Sequence, residues 1–505
     1  MRALEQLMSL KGQFSAEAAR LAEALLESLA KKQFREPRDL ISFHEITLFL
    51  RAYPQSRRVM ELADTILFSF QDRMPQTEHE AFENVEISGI SGTSIATAFS
   101  HQFASSLTQR HAKEISIDWD DYERTDRLGP VLGKLLPAAF EDWSVEPHVD
   151  WRVWFEKAGC TLVWLLRKIE PSVYDSLEIP LRWDLAATNA TRSRTRLPRR
   201  SVYYHDGPLL KRSDVSFEQE FKKARFGVTR VAKPEKLLET IVDTSAVRYR
   251  ELWGFMHPDL AHVYHADFGR GVDFYFFGVA REWRLPFRAY HCGMYFKNGV
   301  PLGYFEGLSF FERMEVGFNL YYTFREGETA WLYAQTLKLF REHLGVTCFT
   351  IDPYQLGHEN KEAIESGAYW FYRKLGFRPV TEEIARLTQR EEERINAEPG
   401  YRTPPGKLRR LAKMPVVYGP SLEWGRFSLH TLMQKTQKAD GQSAWESLLR
   451  HVRSERALKE ILKAKNAPEE TVYLRLLQRS PKLRASILRL GNVRLGDEMG
   501  QALSH

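Results

Sequence analysis

The sequence predicts an α+β fold, a mixed β-sheet with helices on both faces, flanked by N-terminal and C-terminal helical regions. Three observations lead there. Apolar residues recur at three- and four-residue spacing through the first third of the chain. From residue 226 the pattern changes to aromatic and β-branched runs of strand length, two of them joined at Lys297-Asn298-Gly299, where Asn-Gly is a strong hairpin signal. Strands then alternate with helical stretches up to residue 385, and the charged sequence beyond is proline-punctuated.

The helical first third rests on particular residues. Leu4, Leu7 and Met8, then Leu21, Leu25 and Leu29, form one apolar stripe, with Ser15 as an N-cap and Glu17 in the first turn. Phe43, Ile46, Thr47 and Leu50 form a second stripe, which ends near Tyr53-Pro54 because proline disfavours helix before it. A third helix is expected over 61–70. The Gly/Ser connector Glu83–Ser94 lacks the Gly-Lys-Ser/Thr ending of a phosphate-binding loop. Trp151, Trp154, Phe155, Trp164 and Leu166 predict a buried helix within 150–180.

Arg192, Arg194, Arg196, Arg199 and Arg200 then mark a boundary and read as a solvated linker, as do Lys407, Arg409, Arg410 and Lys413. Beyond the first boundary a strand is expected over Phe226–Val231, and Pro234 opens a helix. The strands 274–280, 287–296, 300–311 and 314–324 follow, then helix 329–345, strand 346–354 and helix 359–376. The expected division is a helical domain over 1–190, a basic linker over 191–212, a mixed-sheet domain over 213–385, a charged linker with prolines over 386–440 and a helical region over 441–505.

Composition narrows the class. At 505 residues the chain exceeds one ordinary core, and 43% hydrophobic with 27% charged residues is a globular balance. No apolar run reaches the roughly 18 residues of a membrane span, and the N-terminus lacks a secretory pattern, so a reducing cytoplasm and no membrane partner are expected. Cys160, Cys292 and Cys348 are too few and too widely spaced for a disulfide framework or a zinc module. A net charge of +6 is too mild to imply nucleic acid as a partner. His257, His262, His265 and Asp267 lack the paired spacing of a zinc site and read as hydrogen-bonded side chains, so no metal is expected.

The chemistry concentrates between Phe318 and Leu332. A strand ends, a polar turn with Gly327 follows, and a long helix begins. The first amides of such a helix have no partners within it and point outward at the positive end of the dipole, ready for a diphosphate.

This stretch resembles the acyl-CoA-binding turn of the GNAT acyltransferase superfamily, whose motif is Arg/Gln-x-x-Gly-x-Gly/Ala. Arg325 takes its first position and Ala330 its last, while Glu328 stands at the middle glycine with Gly327 one residue earlier. Tyr372-Arg-Lys-Leu-Gly-Phe377 resembles the superfamily's Tyr-x-Lys-x-Gly-Phe ending, and Asn360 precedes it at a longer spacing than usual. The likeness covers about a third of the chain, 213–385.

The resemblance implies acetyl-CoA or another acyl-CoA as donor, held by Tyr322, Thr323, Arg325, Glu326, Gly327, Glu328, Thr329, Ala330 and Asn360. It implies direct acyl transfer to an amine-bearing small molecule or protein, with Tyr372 as the acid that protonates the leaving thiolate. Strand alternation puts Glu315, Gly317, Asn319 and Tyr321 on one face, so Glu315 is the expected base, followed by Glu306 and His291. A catalytically inactive GNAT-like scaffold is the alternative. Aminoacyl transfer from charged tRNA, as in relatives that duplicate the fold, would need a second copy that the sequence does not present. Homo-oligomerisation stays open.

Overall fold

The computed structural model describes residues 2–74, 79–146, 148–283, 285, 288–310, 313–420 and 422. The helical region expected over 441–505 lies outside them, as do residues 421 and 423–440 of the linker expected over 386–440.

Helices Arg2–Ser9, Ala16–Ala30, Pro37–Ala52 and Arg57–Phe68 bury Leu7, Leu26, Phe43, Leu50 and Leu67 among one another. Ser15 caps the second helix by accepting the Ala18 amide, and Ser56 caps the fourth through Val59. The rest of the first third departs from the all-helical expectation. Strands β1 (Ser94–Thr97), β2 (Ile115–Ile117) and β3 (Leu181–Asp184) form a small antiparallel sheet in the order β1-β3-β2. Its centre is the fully buried Trp183, which lies opposite both Ile95 and Ile115. Such short strands, far apart in sequence, leave little periodicity to read. The helix expected within 150–180 is three short ones, Trp151–Lys157, Leu162–Lys168 and Pro171–Leu177. Gly159, at φ 71°, and Pro171 divide them.

Among the described residues the second sheet has nine strands: β4 (Val228–Arg230), β5 (Pro258–Gly269), β6 (Val272–Val279), β7 (Ala289–Lys297), β8 (Val300–Phe310), β9 (Arg313–Leu320), β10 (Cys348–Ile351), β11 (Arg378–Pro379) and β12 (Val416–Tyr418). Their order is β11-β12-β10-β9-β8-β7-β6-β5-β4, and every neighbouring pair is antiparallel except β9 and β10. Lys297 pairs with Val300 across the expected hairpin, with Asn298 at φ 49° and Gly299 at φ 81°. A Cβ on Gly299 would stand 2.1 Å from the Leu197 carbonyl oxygen, so the turn has no room for a side chain.

Helices cover both faces of this mixed sheet. On one, helix Thr329–Leu344 stacks Phe340 on Phe305 at 4.8 Å and sets it edge-on to Phe274 and Phe276. On the other lie helix Glu235–Ala246 and the short helix Trp253–Met256, whose Phe255 meets Phe277 at 5.9 Å.

Two stretches expected as solvated linkers are built into the structure. Arg192 is 2% exposed and donates to the Glu86 carbonyl oxygen, and Leu197 donates its amide to Gly299 O at 2.8 Å. From residue 386, helix Glu382–Ala397 continues, helix Pro405–Leu411 follows, and β12 inserts between β10 and β11. The reason is packing: Leu408, Leu411, Val416 and Val417 are buried, while the basic residues beside them face outward.

Candidate functional site: the divergence of two parallel strands

β10 accompanies β9 only from Arg313 to Glu315, opposite Cys348 to Thr350. β9 then runs on to Leu320, while the chain after β10 turns at Asp352 into the short helix Pro353–Leu356. A gap opens between them. Gln355 bridges it, donating from Nε2 to the Val316 carbonyl oxygen at 2.9 Å, and Tyr372 reaches the Gln355 Oε1 with its hydroxyl at 3.5 Å. Burial pushes the Tyr372 hydroxyl well above the ordinary phenol range, so it stays protonated. Nothing local in the sequence marks Gln355 for this bridge.

The strand faces here are unlike. Phe305, Met314 and Val316 are buried beneath helix Thr329–Leu344, whereas Glu306, Leu308, Glu315, Gly317 and Asn319 keep partial exposure on the opposite face. Glu315 sits there, bound by Arg313 at 3.4 Å and Arg288 at 3.7 Å. Glu306 lies opposite Gly317 and accepts the Tyr290 hydroxyl; burial raises its carboxyl above the usual carboxylate range. His291 is on the other face, bonded to Ser309 at 2.7 Å near Phe340, and burial lowers it to about 4. It is therefore separated from the two glutamates by the sheet. Tyr290 was legible in principle, because it lies two residues before Cys292, which pairs with Glu306.

The turn after β9 is a 3-10 segment, Tyr322–Phe324, and helix Thr329–Leu344 makes its first hydrogen bond from Leu332 to Glu328 O. The amides of Thr329, Ala330 and Trp331 precede that bond. Neither acid of the turn faces them. Glu326 points to Lys11 at 2.7 Å, and Glu328 buries its carboxylate beside Arg270, with the Leu210 amide donating at 3.2 Å and Lys297 at 3.8 Å. The Glu328 amide donates to the Tyr53 hydroxyl. A Cβ on Gly327 would stand 2.6 Å from that same oxygen, which is why glycine occupies the position.

The other expected donor-binding residues divide. Arg325 is at the mouth of the gap, half-exposed between Glu362 at 2.6 Å and Glu86 at 3.3 Å, and Tyr322 is exposed beside it. Thr323 is buried, bonded to Glu45 and Arg192 of the N-terminal part. Thr329 donates its hydroxyl to Arg325 O at 2.9 Å, and Ala330 is buried. Asn360 caps helix Lys361–Ser366 by accepting the Ala363 amide at 3.1 Å, so its side chain is already engaged.

His257, His262 and His265 do not converge: His257 stacks on Trp283 at 3.8 Å, His262 meets Asp259 and His265 meets Asp273. Two surface cavities, of about 530 Å³ around Arg51, Asp64 and Arg196 and about 440 Å³ around Arg341, Arg378 and Tyr418, lie away from the gap. Among the described residues no helix is long and apolar enough to cross a membrane.

Comparison with models of known protein families, with curated proteins and with solved structures finds no match to this chain.

Proposed function

We propose that this protein is an N-acyltransferase of the GNAT type, moving an acyl group from acetyl-CoA or another acyl-CoA to an amine. One observation carries the reading. The sheet's parallel pair separates after three residues, and the strand left with an open edge leads directly into the turn and helix that bear Arg325 and Ala330. A thioester arm laid along that edge would exchange the Gln355 hydrogen bond for its own, with its diphosphate against the Thr329 to Trp331 amides. That Glu326 and Glu328 turn away from those amides removes the electrostatic objection their presence in the motif raises.

The chemistry follows from the two faces of the gap. The amine nitrogen attacks the thioester carbon; the C–N bond forms as the C–S bond breaks. The amine's proton passes to a carboxylate on the Glu306 and Glu315 face, and the thiolate takes its proton from Tyr372, which burial keeps protonated until a stronger base appears beside it.

A second reading, an inactive GNAT-like scaffold, draws on the Tyr53 hydroxyl at the Glu328 amide and on the two carboxylates that hold Arg325. Isothermal titration of the full chain with acetyl-CoA separates the two. Saturable binding weakened by Arg325→Ala supports acyl transfer; no heat at millimolar donor supports the scaffold.

A further inference from the structure

We infer that Glu306, and not Glu315, removes the proton from the attacking amine, with Tyr290 holding its carboxylate and Gly317 leaving the space that the amine enters. This rests on the acyl-transfer reading and names the base and the class of acceptor for that site.

Both glutamates occupy the partly exposed face, so position alone does not choose between them. Their partners do. Glu315 is neutralised by Arg313 and Arg288, and accepting a proton would cost it both ion pairs. Glu306 has no cationic partner among the described residues and accepts a neutral hydroxyl from Tyr290, which in turn accepts the Gly254 amide. That leaves its second oxygen for a substrate proton. Burial also lifts its carboxyl above the ordinary range, which favours its taking up a proton.

Gly317, directly opposite Glu306, is where the gap begins. A Cβ there would lie 3.6 Å from Glu306 Cβ and 3.7 Å from Gln355 Nε2, so the missing side chain brings the carboxylate's strand and the bridge to Tyr372 around one small space. Base, thioester carbon and acid would thus line up across a single residue. The approach is aromatic: Trp253, 37% exposed, meets the Tyr290 ring at 5.2 Å, and Tyr304 lies on the same strand face as Glu306. Aromatic faces next to a carboxylate suit a primary amine on an apolar body, attracted as its ammonium form. That ammonium sheds its first proton to solvent. The proton lost as the C–N bond forms goes to Glu306, and the thiolate's comes from Tyr372.

The test compares two acceptors with acetyl-CoA and the full chain, following release of the CoA thiol. Once the C–N bond begins to form, the N-protonated adduct of the strongly basic benzylamine is a weak acid that needs a base to take its proton, whereas that of the weakly basic hydroxylamine is far more acidic and loses its proton to water. Glu306→Gln should lower benzylamine transfer by about 100-fold or more while hydroxylamine transfer stays within about fivefold. Tyr290→Phe should shift the same ratio less, by about tenfold, and Glu315→Gln should leave it within about threefold, with acetyl-CoA affinity unchanged in all three. Equal loss for both amines, undiminished benzylamine transfer in Glu306→Gln, or a larger loss in Glu315→Gln overturns the assignment. An unmodified protein that binds acetyl-CoA yet transfers to neither amine also overturns it, and leaves donor binding standing. Failure to bind acetyl-CoA at all removes the acyl-transfer reading and this inference together.

Discussion

The carboxylate of Glu328 lies 3.1 Å from Arg270 Nε, a residue at the turn between β5 and β6, and is turned away from the helix amides that begin one residue later. An acid in the turn before helix Thr329–Leu344 thereby becomes part of the packing between the sheet and the N-terminal helices. Lys297, buried above the Tyr53 and Tyr203 rings at 4.6 and 5.0 Å, completes the cluster with His205 at 2.8 Å.

Glu328→Ala should therefore act on stability before it acts on the donor. It strands Lys297 and Arg270 beside a void, and breaking a buried ion pair from one side costs about 3 kcal/mol or more. Urea denaturation of the full chain followed by tryptophan fluorescence measures this. An unchanged midpoint would mean that the cluster carries no net stabilisation.

Acid should unfold the protein early. Burial, with Lys297 and Arg270 nearby, lowers His205 to about 2, and burial also lowers His44 and His291. The unfolded chain protonates these rings near pH 6.5 while the folded chain does not, so stability falls as pH drops below that value. Burial alone would raise Glu45, but Arg192, His44 and Thr323 hold it at about 2, so its contribution is present above about pH 4.5 and is lost between there and pH 2. Between its unfolded and folded pKa each histidine contributes a slope of up to about 1.4 kcal/mol per pH unit. Denaturation midpoints at pH 7, 6, 5 and 4 should decline steadily, and His205→Gln should flatten the decline. A flat profile contradicts the account.

Asn360 is predicted to matter as a cap. Asn360→Ala removes the acceptor for the Ala363 amide and should cost about 1 kcal/mol of stability. Acetyl-CoA affinity, read by titration, should change less than about threefold, since that side chain faces its own helix. A tenfold loss of affinity at unchanged stability would restore a donor-binding role.

Tyr372→Phe removes only the long hydrogen bond to Gln355, so the midpoint of unfolding should barely move. Turnover should fall by about 100-fold with donor affinity preserved, as expected for a lost proton donor. Unchanged turnover would assign the tyrosine to packing alone.

What could be read in the sequence was local. The Asn298-Gly299 hairpin, the Ser15 cap and the helix that ends at Gly345 with φ 68° follow from residues within a few positions of one another. The mixed sheet also follows from the change of period. What escaped depends on distant partners. Arg192 looked solvated because its hydrogen-bond partners, Glu86 O and Thr323, lie 106 and 131 residues away. β12 is three residues long and is recognisable as a strand only beside β10. Gly327 stands one residue before the glycine position of the motif, and the atom that leaves no room for a side chain there, the Tyr53 hydroxyl, is far away in sequence. Glu315 was the base expected from alternation, which reports faces and is silent on the arginines that occupy it.

The most direct test is a crystal of the full chain grown with acetyl-CoA. The account predicts a diphosphate against the Thr329 to Trp331 amides, Gln355 displaced from Val316, and the thioester carbonyl beside Gly317 between Glu306 and Tyr372. Acetyl-CoA bound elsewhere, or a gap still bridged by Gln355 at saturating donor, contradicts it.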